Sequence, residues 1–215
     1  MNIETIPCKR ENYGGLRSGK IRYLVVHYTG CPGDTAVSEG NYFASNDTGK
    51  TSAHYFVDET TVIRSVEDRY VAYHCGAAEY AHPECRNSNS IGVEICTKGC
   101  PGDYRFDDRA LWRAAALLQQ LMKQYHIPVE RVVRHYDVSR KVCPAPFVGS
   151  GAAAWKEFLR MLTRYDTVED VPVWAQETVQ KLVEKGFLNG DGQGLDLSHD
   201  QVRLLVILDR AGILG

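Results

Sequence analysis

The sequence predicts an α+β protein in which a mixed central β-sheet is flanked by helices and followed by a small C-terminal helical module. Strand-like and helix-like periods are mixed along the chain without a regular βαβ repeat, which favours a mixed sheet covered by helices. The length of 215 residues suits one large domain, or one of about 150 residues with an appendage. A composition shift over 165–172 (YDTVEDVP) indicates a linker, so we expect domains at 1–165 and 166–215.

The first half of the chain is expected to supply most of the sheet. Its predicted elements are a strand over 21–27, a short helix over 36–44, a hairpin with strands over 54–58 and 61–66, a long loop over 75–90 and a strand over 91–95. In the first strand Tyr23 and Val25 alternate with Leu24 and Val26, so both faces are apolar, which is typical of a central strand. Long ordered loops in compact domains are often functional, so 75–90 is a candidate functional segment.

The second half is predicted to be mainly helical. Its elements are a helix over 107–125, a short strand over 132–135, a helix over 152–163, and two helices over 173–185 and 198–211. The helix over 107–125 carries one apolar stripe, and Asp107 or Asp108 fits the N-cap position. The last helix opens with Ser198 and Gln201 at the spacing of a capping box.

Composition and charge exclude several classes of protein. The formal net charge of −2 leaves no polycationic surface, so we expect no nucleic-acid partner. No apolar run approaches the roughly 18 residues that a membrane span needs, so no span is expected. The N-terminal segment lacks an apolar signal core. Seven cysteines are an odd number, so at least one is outside any intrachain disulfide. Because no signal peptide is evident, Cys75, Cys85, Cys96 and Cys100 are expected to be free thiols, and disulfides are the alternative if the protein works outside the membrane.

Three side chains at predicted element ends form a candidate zinc site. His27 closes the first strand, His135 closes the short strand, and Cys143 follows eight residues later. Two imidazoles and a thiolate are a competent zinc set, and three protein ligands leave the fourth tetrahedral position open, as in catalytic zinc sites. The spacing by itself is weak evidence, because a histidine at a strand end is more often structural.

Four motifs give these side chains a specific context. In order they are VVHYTG at 25–30, SAHYFVDE at 52–59, NSNSIGVEI at 87–95 and RHYDVSRKVCP at 134–144. Together they resemble the zinc amidases that cleave peptidoglycan, which include phage endolysins, bacterial autolysins and recycling amidases and are related to animal peptidoglycan recognition proteins. The resemblance implies a zinc-dependent N-acetylmuramoyl-L-alanine amidase that hydrolyses the bond between N-acetylmuramic acid and L-alanine.

Carried over by position, the resemblance implies that His27, His135 and Cys143 hold zinc. It implies Glu94 as the general base and Lys141 as the cation that stabilises the oxyanion of the tetrahedral intermediate. Glu94 lies on the strand face opposite the apolar residues that alternate with it, so it need not be buried among them. The substrate contacts that the resemblance offers are Tyr28, His54, Tyr55 and His74.

Two other functions remain open at this point. One is a non-catalytic peptidoglycan-binding protein of the same fold; such relatives typically lack the third zinc ligand, whereas Cys143 is present here. The other is a cysteine hydrolase that uses Cys143 and His135, which predicts activity that survives chelators.

The C-terminal segment resembles a single helix–loop–helix unit of the S-layer homology type, which anchors other proteins to cell-wall polymers. The spacing of Leu182, Gly186 and Gly190 carries the resemblance, together with the final helix. Anchoring proteins usually carry three such units, and Ser198-His199 stands where the family has Thr-Arg. The final helix is apolar around most of its circumference, so packing on the first domain or pairing into a homodimer is the alternative to wall binding.

Peptidoglycan is therefore the expected partner. Because no signal peptide is evident, we expect a protein made in the cytoplasm that reaches the wall after release, as phage and prophage lysins do, or by a non-classical secretion route.

Overall fold

The computed structural model describes residues 2–190, 192 and 194–214. The chain divides into two compact units, Met1–Phe158 and Leu159–Gly215. The sequence between the last two predicted helices, NGDGQGLDL, is expected to form a glycine-rich turn, and its residues 191 and 193 lie outside the described part. The functions assigned to the two predicted domains stay predictions.

The first unit is built on a six-stranded mixed sheet with the order β1-β5-β4-β7-β3-β8. The strands are β1 (Glu4–Thr5), β3 (Tyr23–Tyr28), β4 (Tyr55–Val57), β5 (Val62–Arg64), β7 (Ser90–Ile95) and β8 (Val132–Arg134), while β2 (Tyr13–Leu16) and β6 (Tyr70–Ala72) form a separate antiparallel pair. The strand β3 runs parallel to both β7 and β8, and β7 runs parallel to β4. Only β4 and β5 form an antiparallel hairpin within the large sheet as described. The predicted α+β class and mixed sheet are confirmed.

The centre of the sheet is the part that the sequence describes best. Leu24, Val25 and Val26 of β3 are fully buried, as expected for a strand that is apolar on both faces. Leu24 pairs with Ile91 of β7 on one side and with Val132 of β8 on the other. The predicted central strand is therefore correct, with its bounds shifted from 21–27 to 23–28.

Four helices belong wholly or mainly to the first unit: α1 (Ala36–Ser45), α2 (Asp108–Tyr125), α3 (His135–Ser139) and α4 (Ala152–Leu162). The N-cap of α2 is Asp107, whose carboxylate accepts from the backbone N–H of Arg109. Of the predicted stripe of α2, Ala114, Ala115, Leu118 and Leu121 are buried, whereas Leu111, Met122 and Tyr125 are half-buried; Leu117, which was not predicted, is buried as well. The first turn of α1 is held by the Asp58 carboxylate.

The structure differs from the sequence prediction in several short elements. His135 begins the short helix α3 instead of ending a strand, because β8 already ends at Arg134. The short strands β1, β2 and β6 were not predicted, since segments of two to four residues carry too little alternation to be read from sequence. Residues 75–90 have no regular structure apart from one 3₁₀ turn and the first residue of β7, as expected for a long loop. Within the described residues, no helix is long and apolar enough to cross a membrane.

The second unit contains α5 (Val173–Glu184), α6 (His199–Arg210) and a two-stranded pair, β9 (Arg164–Tyr165) with β10 (Leu197–Ser198). The predicted capping box at Ser198 and Gln201 is present. A polar link joins the two helices: Asp209 accepts from the Thr178 hydroxyl at 2.9 Å and from the Lys181 ammonium at 2.6 Å. The apolar residues that this unit buries in its own core are Val171, Ala175, Val179, Leu197, Val202 and Val206.

All seven cysteines lie among the described residues and are free thiols, five of them buried. Cys31 and Cys100 are the exposed ones. The disulfide state expected from the sequence stays a prediction.

Candidate active site

The candidate site lies where three neighbouring parallel strands end. His27 of β3 is directly opposite Glu94 of β7, and Val26 pairs with Arg134, the residue before His135. The carboxyl ends of parallel strands meet at one edge of a sheet, so this register alone brings His27, Glu94 and His135 to the same level.

The three predicted metal ligands converge at this edge. His27, His135 and Cys143 are buried, and the ligand atoms they offer all lie within 4.8 Å of one another. The Cys143 Sγ lies 3.6 Å from the His27 Nδ1. Tetrahedral bonds of about 2.05 Å to nitrogen and about 2.3 Å to sulfur place two such ligand atoms about 3.6 Å apart, so this donor pair fits a zinc ion.

Local interactions bring Cys143 back to the two histidines. The Arg134 guanidinium and the Asp137 carboxylate form a salt bridge at 2.7 Å across the first turn of α3. The backbone N–H of Tyr136 then donates to the Cys143 carbonyl at 2.7 Å, which closes the loop after α3. The backbone N–H of Tyr28 donates to the Cys143 sulfur, and this contact partly opposes the rise that burial causes in the pKa of the thiol.

The site keeps its histidines neutral. Burial, followed by the charge of His135, lowers the pKa of His27 well below its usual range. Burial and then Lys141 lower the pKa of His135 to about 4. Neutral imidazoles are the form that binds a metal. Burial, reinforced by Glu94, raises the pKa of Cys143 to about 12, so in this environment the thiol becomes a thiolate only when a cation compensates its charge.

Glu94 combines partial exposure with an unusual pKa. Its Oε1 lies 3.9 Å from the His27 Nδ1, and its side chain is 20% exposed. Its Oε2 is buried with no hydrogen-bond partner among the described residues. Burial raises the pKa of Glu94 to about 8, with Glu39 adding to the effect and Lys141 opposing it. With this pKa the carboxyl holds its proton at neutral pH, and a cation bound by the neighbouring ligands would lower the pKa and free the carboxylate to act as a base.

Lys141 is exposed and stands beside the site. Its charge contributes to the lowered pKa values of His27 and His135 and opposes the raised pKa of Glu94. A cation at that position is suited to stabilise negative charge that develops on a reacting carbonyl oxygen.

The four predicted substrate contacts occupy different environments. Tyr28 is partly exposed, and its ring meets that of Tyr104 edge to face at 5.3 Å between centroids. Tyr55 is buried, and its hydroxyl donates to the Asp68 carboxylate at 2.7 Å. A direct substrate contact is therefore compatible with the placement of Tyr28 and is not supported by the placement of Tyr55.

The two histidines of this group are also buried. His54 is fully buried, and its Nδ1 accepts from the Gly92 backbone N–H at 3.0 Å. His74 is 8% exposed and lies directly behind the metal ligands, with its Nδ1 3.0 Å from the His27 Nε2. Their predicted role as groove-lining substrate contacts finds no support in these positions. His74 instead contacts a candidate metal ligand.

The sequence did not identify Ser90 and Gly92 as part of the site. Both lie on the same face of β7 as Glu94, because residues two apart on a strand point the same way. The Ser90 hydroxyl lies 3.1 Å from the His74 Nε2, and the Gly92 backbone passes directly beside the His74 ring. The alternation of polar or small residues with Ile91 and Val93 was the available signal.

A cavity of about 890 Å³ lies elsewhere in this unit. Its lining includes Ile21, Arg22 and Arg131, which precede β3 and β8, so it lies beside the amino ends of the strands. The convergent ligands, Glu94 and Lys141 are at the carboxyl ends, and we therefore place the chemistry there.

Comparison with known proteins identifies the family to which the chain is similar. A family model described as N-acetylmuramoyl-L-alanine amidase matches residues 17–146. A probable N-acetylmuramoyl-L-alanine amidase of Bacillus licheniformis is 33% identical over 208 residues, covering 89% of this chain and 55% of the relative. The amidase CwlL of the same organism is 33% identical over 147 residues, covering 64% of this chain and 40% of its own.

Solved structures show the same fold in the first unit. The structure of PlyL superposes with a TM-score of 0.62 at 28% identity, over 76% of this chain and 98% of PlyL. The catalytic domain of XlyA gives a TM-score of 0.59 at 27% identity, over 76% of this chain and 100% of that domain. The chain spans about half the length of the curated relatives it matches.

Proposed function

The chain belongs to the N-acetylmuramoyl-L-alanine amidase family, and on that basis we propose that it is a zinc-dependent enzyme that hydrolyses the amide bond between N-acetylmuramic acid and L-alanine in peptidoglycan. The observation that carries the proposal is the convergence of His27, His135 and Cys143 within 4.8 Å, next to the Glu94 carboxylate. Two imidazoles and a thiolate are zinc ligands, and three of them leave a coordination position open.

A zinc ion held by these ligands would supply Lewis acidity, polarising the scissile carbonyl and acidifying water. Glu94 takes a proton from the attacking water and returns it to the leaving nitrogen of L-alanine. This role is supported by the position of its Oε1, which lies 3.9 Å from the His27 Nδ1. Lys141 stabilises the negative charge that develops on the carbonyl oxygen. Tyr28, which is partly exposed beside His27, is the substrate contact that the geometry supports best.

The direct test is digestion of purified peptidoglycan by the full chain. We expect release of L-alanine amino groups without new reducing sugar ends. A chelator should abolish the activity, and added zinc should restore it. Cys143→Ser should lose both zinc and activity, while Cys100→Ser, which changes an exposed cysteine, should keep both. New reducing ends would identify a glycosidase and contradict the proposal.

The test also separates the two alternative functions. A non-catalytic binding protein would bind the wall without releasing amino groups. A cysteine hydrolase would keep its activity after chelation; the burial of Cys143 and the high pKa of its thiol argue against that chemistry.

A second pair of variants tests the carboxylate and the cation. Glu94→Gln should bind zinc and lose turnover by about 100–10,000-fold, the usual contribution of a general base. Lys141→Arg should retain more activity than Lys141→Met, since only the arginine keeps the charge. Normal turnover in Glu94→Gln would assign the proton transfer to another group.

For the second unit, the two proposed roles are binding to wall polymers and pairing with another copy. Leu204 and Ile207 on α6 are 55% and 61% exposed and are the natural positions to test both roles. If the unit pairs, changing both residues to glutamine should turn a dimer into a monomer and leave wall binding intact. If the unit anchors to the wall, the same change should reduce sedimentation with cell walls at unchanged molecular mass.

A further inference from the structure

His74 lies behind the candidate metal site, and the role inferred for it rests on the zinc site proposed above. The His27 imidazole uses its two nitrogens differently. Its Nδ1 faces the Cys143 Sγ at 3.6 Å, whereas its Nε2 lies 3.0 Å from the Nδ1 of His74. A metal-binding histidine usually donates its second N–H to an acceptor that fixes the ring. Here the group in that position is another imidazole, which can be a donor or an acceptor.

A chain of hydrogen bonds decides which role His74 takes. The Ser90 hydroxyl donates its single proton to the Arg86 carbonyl at 2.7 Å, because a carbonyl can only accept. At the His74 Nε2, 3.1 Å away, the Ser90 oxygen can therefore only accept, so that nitrogen carries the proton. A neutral imidazole has one N–H, which makes the His74 Nδ1 an acceptor. The His27 Nε2 must then be the donor, and its Nδ1 presents a free lone pair to a metal.

The surroundings hold His74 in this geometry. The Asn87 side-chain oxygen accepts from the backbone N–H groups of His74 and Cys75 at 3.1 and 2.8 Å. Gly92 leaves room for the ring, since a Cβ there would lie 2.5 Å from the His74 Cγ. Ser90 is fully buried. Within the motif over 87–94, Asn87 holds the backbone at His74, the Ser90 hydroxyl accepts from its ring, and Gly92 leaves space for that ring. The same motif ends at Glu94.

We propose that His74 is a positioning residue that fixes the tautomer and orientation of His27 through the chain Arg86 carbonyl, Ser90 hydroxyl, His74, so that the His27 Nδ1 is presented to zinc. His74 touches neither the substrate nor the metal in this role. Its contribution appears in zinc affinity.

The test compares two variants of nearly equal shape in the full-length chain, His74→Asn and His74→Leu. The asparagine Oδ1 can occupy the position of the imidazole Nδ1 and accept from His27, whereas leucine cannot accept. Zinc affinity is measured by competition with a chromophoric chelator. We expect His74→Leu to bind zinc about 10–100-fold more weakly, the usual effect of losing such a partner, and His74→Asn to recover most of the affinity. Both variants lose the ring, so a difference between them reports the acceptor alone.

A spectroscopic measurement tests the tautomer directly. In the zinc-loaded wild-type chain, long-range proton–nitrogen NMR correlations should show the His27 Nε2 protonated and the Nδ1 bound to metal. Ser90→Ala removes the hydroxyl that fixes the His74 tautomer and should also weaken zinc binding. This variant tests the proposal if His74→Leu does not fold.

Three results would overturn the inference: equal affinities of His74→Leu and wild type, equal losses in the leucine and asparagine variants, or a protonated Nδ1 on His27. If the wild-type chain binds no zinc at all, the zinc site itself is refuted, and that outcome is distinct from the three above.

Discussion

Replacing Gly92 with alanine should damage the metal site without touching a metal ligand. The new Cβ would lie 2.5 Å from the Cγ and 2.7 Å from the Nδ1 of His74, whereas carbon atoms in good contact are about 3.5–4.0 Å apart. The strand cannot easily move, because β7 is paired on both sides, with β3 and β4. The ring must therefore shift by about 1 Å, and the 3.0 Å hydrogen bond to His27 is lost or badly bent.

Two magnitudes follow from this clash. Overpacking of a buried site costs about 1–3 kcal/mol, which for a chain of this size lowers the Tm by about 2–12 °C. Loss of the partner of a metal-binding histidine should weaken zinc binding by about 10–100-fold. The backbone itself accepts alanine, because Gly92 does not adopt a positive φ.

The assay is thermal unfolding of the metal-free protein together with zinc titration against a chelator. The matched control is Gly15→Ala, a strand glycine in β2 with nothing within 4 Å of an added Cβ. We expect the control to match wild type in both measurements. If Gly92→Ala unfolds and binds zinc like the control, the close packing of His74 against β7 does not constrain the ligand, and the reasoning is refuted.

Three further predictions test other parts of the molecule. Chelation should lower the Tm of the wild-type chain, because zinc binds only the folded site, and should leave the Tm of Cys143→Ser unchanged. The Asp68 carboxylate accepts hydrogen bonds from the buried Tyr55 hydroxyl at 2.7 Å and from the Tyr125 hydroxyl at 2.6 Å. Asp68→Asn weakens these bonds and should lower the free energy of unfolding, measured with denaturant, by about 1–3 kcal/mol, with zinc affinity unchanged. Leu197→Ala removes a side chain from the core of the second unit and should lower the free energy of unfolding by about 2–5 kcal/mol. It should leave the kcat for peptidoglycan fragments unchanged; a fall in kcat would show that the reaction depends on this unit.

The candidate ligands could be predicted because their sequence context is local. His27 follows a strand that is apolar on both faces, and Cys143 follows His135 closely enough for one short helix and loop to return it. Glu94 was predicted on the non-apolar face of its strand, and the register places it opposite His27. Strand period can be read from a sequence, whereas the choice of these residues came from the resemblance carried by the four motifs, and the parallel pairing that brings them together is seen only in the structure.

The role of His74 could not be predicted in the same way. It lies in an irregular loop, where no period indicates which way a side chain points. Its contacts with His27 and Ser90 depend on how that loop packs behind β7, and this packing is fixed by single hydrogen bonds such as those from Asn87. His54 and Tyr55 were offered as substrate contacts only by the family resemblance, which does not report burial, and both side chains are buried.

The use of an imidazole behind His27 has a physical consequence for the rest of the site. A carboxylate in that position would add a third anionic group beside Glu94 and the Cys143 thiolate, in a place that is buried. The His74 imidazole accepts a hydrogen bond from the His27 Nε2 without introducing an anionic group. An imidazole, however, has two tautomers, and only one of them accepts at Nδ1. A carboxylate has no such ambiguity, so the buried Ser90 hydroxyl is needed specifically because the acceptor is a histidine. Under the roles proposed above, ligand orientation and proton transfer would both come from one face of a single strand, through Ser90, Gly92 and Glu94.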